Sequence, residues 1–143
     1  MYTYIHKTQY YESDQMGVIH HSNYIRWFEE ARTAFMDDRG YAYARLEHEG
    51  IISPVLTVEC EYRKMMRYGD TARIELELEK FNGVKMVVSY KVYLESTGEL
   101  CTVGRSSHCF LNRDNKPVSM KKINRDFMIK FQSKKRGIYG AAG

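Results

Sequence analysis

Proline is nearly absent from this chain, two in 143 residues, and glycine numbers only ten, which leaves little material for long linkers between separate folding units. No stretch approaches the roughly 20 consecutive apolar residues that a membrane-spanning helix needs. The first residues, Met-Tyr-Thr-Tyr-Ile-His-Lys, alternate and lack the apolar run of a signal peptide, so a cytoplasmic protein without membrane attachment is expected. The three cysteines, Cys60, Cys101 and Cys109, fall at no metal or redox spacing, and reduced thiols in a reducing compartment are expected. What the chain does have is globular usage, 43% hydrophobic and 28% charged, which excludes disorder throughout. Its length suits one compact domain, expected over residues 1–133, followed by a flexible basic and glycine-rich tail over 134–143.

Net charge is +4, unevenly spread: residues 1–112 carry 13 basic against 16 acidic side chains, and residues 113–143 carry 9 against 2. A basic end suits a polyanion such as the phosphates of coenzyme A, or nucleic acid, and equally a solvated tail.

Residues 2–10 alternate aromatic and β-branched positions, which predicts a strand, and Gly17 closes the polar turn after it. The strongest helix is expected over 23–39. Tyr24, Trp27, Phe28, Ala31 and Phe35 fall on one face, Ser22 or Asn23 is placed to cap the start, and Gly40 stands just past the end. Arg26 and Glu30 are spaced for an ion pair on its outer side. A shorter helix is predicted over 41–49. Four alternating segments follow, through Leu56–Tyr62, Ile74–Leu78, Met86–Leu94 and about 100–111, and then an amphipathic helix over about 121–133. A strand, a long helix and four antiparallel strands make an α+β domain in which the sheet wraps the helix. One helix covers only one sheet face, and an open edge must be paired or protected, so self-association is expected.

Between the first strand and the long helix lies Tyr10-Tyr-Glu-Ser-Asp14-Gln-Met-Gly17-Val-Ile-His-His21-Ser-Asn23-Tyr24. A helix N-terminus offers unpaired N–H groups and partial positive charge, which suit an oxyanion. A carboxylate opposite it can activate water or attack a carbonyl itself. Alone, the signal is weak, because an aspartate ahead of a helix is a turn or cap residue in most proteins. His20 and His21 suggest a metal, but neighbouring side chains are expected to diverge and no ligand partner sits at the right spacing, so no metal is expected. His6, His48 and His108 read as satisfied surface or core residues, and Trp27 and Phe28 as core.

The run from Ser13 through Asp14, Gly17, His21, Asn23 and Tyr24 to Glu30-Ala31-Arg32 resembles the signature of 4-hydroxybenzoyl-CoA-thioesterase-like acyl-CoA thioesterases. Later stretches are similar too, namely Glu61-Tyr62-Arg63, Tyr68-Gly69-Asp70 and the hairpin at Gly98, so the resemblance spans about residues 3–120. It implies a hotdog fold, an antiparallel sheet around one long helix, assembled as a homodimer or homotetramer with active sites at the subunit interface. It implies Asp14 as catalytic carboxylate, and His21 as the position whose N–H faces the thioester carbonyl and whose side chain assists. Tyr10 matches a tyrosine lining the site in some members, and Gly17 and Asn23 match positions that shape the substrate-binding loop. Two departures, His20 in place of an aromatic residue and Ser13 in place of a second acid, bear on acyl preference. Lys64, Lys85 and Lys116 are candidates for the coenzyme A phosphates.

The expected activity is therefore hydrolysis of acyl-CoA to a carboxylic acid and free coenzyme A, with no cofactor. One alternative is the same reaction on acyl groups borne by acyl carrier protein. Another is a non-catalytic module binding acyl-CoA or nucleic acid. The pairing of Asp14 with His21 argues against an inactive site, and no nucleic acid partner is expected.

Overall fold

The computed structural model describes residues 1–136, with side-chain surroundings defined through residue 131. The expected flexibility of the closing Gly-Ile-Tyr-Gly-Ala-Ala-Gly concerns residues outside that range. The elements in order are β1 (Tyr2–Lys7), a single 3-10 turn (Tyr10–Glu12), α1 (Ser22–Asp38), α2 (Tyr43–His48), β2 (Val55–Tyr62), β3 (Thr71–Phe81), β4 (Lys85–Leu94), β5 (Glu99–Cys109), α3 (Met120–Ile123) and α4 (Arg125–Arg136). The strands form one antiparallel sheet in the order β1-β3-β4-β5-β2. This sheet wraps α1 in the hotdog arrangement.

The apolar stripe on α1 does what its spacing predicts. Tyr24, Trp27, Phe28, Ala31 and Phe35 are all buried, at 2% exposure or less. They meet Ile74, Leu76, Val88, Tyr90 and Val92 from alternate positions of β3 and β4. Phe28 stacks on Tyr90 with ring centroids 4.3 Å apart. That close approach needs Gly104 beneath it, since a Cβ there would stand 2.4 Å from Phe28 Cε2. Gly40 follows the helix with φ +82, donating its N–H to the Asp37 carbonyl.

Several boundaries differ from the periodic reading, each for a local reason. β1 ends at Lys7 because Thr8 turns to another partner, its N–H and hydroxyl both reaching the Asp70 carbonyl, at 3.1 and 2.7 Å. Neither Ser22 nor Asn23 caps α1. The N-cap position is His21, without a side-chain cap, and Ser22 Oγ instead bonds His20 Nδ1 at 2.9 Å. Glu30 is taken by the Tyr4 hydroxyl, 2.9 Å, and faces His6, so no Arg26–Glu30 ion pair forms among the described residues. The last helix is broken at Asn124, whose Oδ1 accepts the Phe127 N–H at 3.0 Å and restarts the helix as α4. α4 is docked by its inner face: Phe127 and Phe131 are fully buried, and Phe131 meets Phe35 of α1 edge to face.

Under α1 the core contains a polar chain in which the Tyr90 hydroxyl meets Ser106 Oγ at 2.7 Å and Ser106 Oγ meets His108 Nε2 at 2.8 Å. His108 is fully buried. Burial first, and then the nearby Arg32 charge, push its pKa from 6.5 to about 4, against the opposing pull of the Pro54 carbonyl. The unfolded chain therefore binds a proton here that the folded chain does not, and stability falls as pH drops from 6.5 toward 4. The expected loss between pH 7 and pH 5 is about 2 kcal/mol from this group. Urea unfolding at both pH values, on the parent and on His108→Gln, checks it: the variant should be the less pH-sensitive protein. Equal pH dependence in the two would rule the assignment out.

Candidate active site

The loop between β1 and α1 is shaped by main-chain bonds that its sequence permits. Asp14 N–H donates to the Val18 carbonyl at 2.8 Å and Gly17 N–H to the Asp14 carbonyl at 3.1 Å, a tight turn that needs Gly17 at φ +79. The Asp14 side chain closes the same turn, Oδ1 accepting the N–H groups of Met16 at 2.8 Å and Val18 at 3.3 Å. Its Oδ2 takes no hydrogen bond among the described residues. One oxygen thus fixes the carboxylate while the other is available for chemistry.

Asp14 and His21 open onto one cavity of about 380 Å³, walled by Val18, Ile19, Tyr24, Tyr62, Lys64 and Met65. His21 stands at the very start of α1, and its own N–H donates to no group among the described residues. Tyr62 fixes the His21 peptide from the far side by donating its hydroxyl to the His21 carbonyl at 2.9 Å. Burial pushes the Tyr24 phenol up to about 12 and the Tyr62 phenol up as well, so both are neutral donors at physiological pH. Cys60 beside them is likewise pushed up by burial, which disfavours a thiolate nucleophile. The three cysteines are free.

The other sequence candidates divide. His20 and His21 do not diverge; their rings stack 4.2 Å apart, because the backbone already turns helically at His21 and Ser22 holds His20 back. Asn23 is buried and does not line the cavity. Its Nδ2 donates to the carbonyls of Glu12 at 2.9 Å and His20 at 3.3 Å, which ties the loop to the helix start. Tyr10 is 77% exposed and packs edge-on against Tyr68, away from the cavity walls. Of the three lysines, Lys64 lines the cavity, with its ammonium on Glu99 at 2.5 Å.

One residue escaped the sequence reading. Glu12 is buried at 4% exposure, and its carboxylate accepts Trp27 Nε1–H at 2.9 Å, the Gln9 N–H at 2.7 Å and His6 Nε2 at 3.1 Å. Trp27 is core, as expected, but it also carries this polar contact. An acid two residues from Asp14 was the available signal, hidden in a run that reads as a solvent-exposed turn.

A second cavity, about 370 Å³, opens on the sheet, with Glu59, Glu61, Lys91 and Arg105 around it. None of its lining residues comes from the loop between β1 and α1.

Residues 9–129 match the model of the thioesterase-like superfamily. A putative acyl-CoA thioesterase of Bacillus subtilis (strain 168) is 35% identical over 131 residues, which cover 91% of this chain and 94% of that protein. A putative esterase of Aquifex aeolicus (strain VF5) is 34% identical, over 85% of this chain and 92% of its own length. Among solved structures, a DHNA-CoA thioesterase from Staphylococcus aureus superposes with a TM-score of 0.90 at 31% identity, covering 99% of this chain and 95% of that one.

Proposed function

The chain belongs to the thioesterase-like superfamily, and on that premise we propose that it hydrolyses acyl-CoA thioesters at Asp14 and the N-terminus of α1. The observation that carries this is the shared cavity: a carboxylate with one tethered and one open oxygen, beside a helix start whose first N–H is unspent. The thioester carbonyl oxygen accepts from the His21 N–H, and the helix dipole favours the charge that develops there. In the base route, Asp14 takes a proton from water as the hydroxide oxygen bonds to the carbonyl carbon. The C–S bond then breaks, and the proton passes to the departing thiolate, giving a carboxylic acid and coenzyme A. In the nucleophile route, an Asp14 carboxylate oxygen bonds to the carbonyl carbon, and the C–S bond breaks to expel the coenzyme A thiolate. Water then hydrolyses the mixed anhydride, supplying the proton that the thiolate takes up. A single turnover in oxygen-18 water reveals the second route when label enters Asp14, as it does where water attacks the Asp14 carbonyl of the anhydride. Hydroxylamine trapping of the anhydride reveals that route where water attacks the acyl carbon.

Water is the second substrate, and turnover should survive a chelator. Self-association through β2 accompanies this reading. β2 is an edge strand whose Val55, Leu56, Val58 and Tyr62 are 41–51% exposed, and it leads directly into the cavity wall at Tyr62 and Lys64. A second copy pairing there would place the site at a subunit boundary, in a reducing, cytoplasmic setting.

Among the described residues no helix is long and apolar enough to cross a membrane. The test is thiol release from a panel of short, long and aromatic acyl-CoA esters, with the best acyl group then offered on acyl carrier protein. Turnover of at least one CoA ester, preferred over the carrier-protein form, is the expected result. No thiol release from any ester would refute the proposal.

A further inference from the structure

Glu12 takes no part in the reaction proposed above, yet the fold spends three donors on it. A carboxylate taken out of water costs several kcal/mol unless it is well partnered. Burial alone would raise its pKa, but the bonds from Trp27, Gln9 and His6 outweigh that and hold it below the usual carboxylate value. It is therefore an anion at neutral pH, accepting from β1, from the turn and from the inner face of α1 at once.

Its main chain is used as fully as its side chain. The Glu12 carbonyl accepts the His20 N–H at 2.8 Å and Asn23 Nδ2–H at 2.9 Å, both at the beginning of α1. The side chain thus grips α1 at Trp27 and the carbonyl grips it near its first turn, two points on one rigid element. Two points fix direction as well as distance. The next residues are Ser13 and Asp14, so the anchored peptide sets where the Asp14 carboxylate stands relative to the His21 N–H. His6 is braced in turn: its ring leans on Trp27 at 4.8 Å, and its Nδ1 is 3.4 Å from Glu30, which the Tyr4 hydroxyl holds.

We infer that Glu12 is a positioning residue for thioester hydrolysis, holding the Asp14 loop against the N-terminus of α1 through its carboxylate on Trp27 and its carbonyl on His20 and Asn23. The inference rests on the reading of Asp14 and the His21 N–H as the reacting pair. A displacement near 1 Å in such a pair is enough to cost about 10²-fold in rate.

The test is Glu12→Gln, which keeps the volume but puts an N–H₂ where an acceptor faces converging donors. Its kcat per folded molecule should fall about 10²-fold, with KM changed less than about threefold, because the acyl-CoA cavity itself is untouched. Amide exchange at Ile19, His20 and Asn23 should speed up at least about tenfold, while β3 and β4 amides keep their rates. Trp27→Phe removes a single donor and keeps an aromatic ring, and it should give a smaller loss of kcat in the same sense; it serves if Glu12→Gln does not fold. Parent-like kcat per folded molecule in these variants, even with a lowered melting temperature, would mean that Glu12 is merely structural and would overturn the inference. If the unmodified protein releases no thiol, the reading of Asp14 fails, and the exchange rates alone decide whether Glu12 holds the loop.

Discussion

Asp14→Asn is expected to lower kcat/KM for acyl-CoA hydrolysis by about 10³-fold or more while leaving the fold intact. The separation of activity from stability follows from how the carboxylate is held. Its structural work is done by Oδ1, which accepts the Met16 and Val18 N–H groups. The carboxamide oxygen of asparagine can keep both bonds. What asparagine cannot do is take a proton from water or form an acyl bond through a carboxylate oxygen. Loss of rate with a melting temperature within about 3 °C of the parent is therefore the signature of a reacting group. A variant that turns over normally would remove Asp14 from the mechanism, and one that is inactive because it is unfolded would recast it as a turn residue.

Gly104→Ala should destabilise the protein by about 3 kcal/mol, the upper end of what over-packing a core costs. The reason is spatial: the added methyl would stand 2.4 Å from Phe28 Cε2, 2.6 Å from Cζ and 3.0 Å from the Glu59 carbonyl oxygen. Phe28 has little freedom to retreat, since its ring is stacked on Tyr90 with the two planes within 9° of parallel. Either α1 lifts from the sheet or Phe28 leaves its rotamer. For a chain of this length the loss corresponds to a fall of about 10 °C in melting temperature, readable by calorimetry. A change under about 2 °C would mean that α1 does not rest on the sheet through a close Phe28–Gly104 contact. Because the lifted helix carries His21, activity should fall along with stability.

Much of the fold is legible in the sequence. The 3.6-residue stripe on α1 and the alternation in β3 and β4 are local patterns set by a buried face, and those faces are buried as written. The turn at Asp14 and Gly17 is legible for a similar reason, since its chemistry lies within one short stretch of chain, whereas the helix expected from residue 23 starts at Ser22 with His21 as its N-cap. What cannot be read there depends on distant partners. Tyr62 reaches the His21 carbonyl from 41 residues downstream. Thr8 ends β1 by bonding to the loop before β3, and Glu12 becomes a buried anchor only because Trp27 comes round beneath it. The missed cap at α1 has the same origin: Asn23, which has the right chemistry for capping, is drawn inward to the Glu12 carbonyl.

All of the proposed chemistry turns on the thioester reacting between Asp14 and the His21 N–H. That placement can be seen in a crystal structure of Asp14→Asn with an intact acyl-CoA ester bound. The expected structure has the thioester carbonyl oxygen within hydrogen-bonding distance of His21 N, with the side chain at position 14 facing the carbonyl carbon. An ester seated elsewhere, such as the sheet cavity beside Lys91 and Arg105, with its carbonyl away from His21, would contradict it.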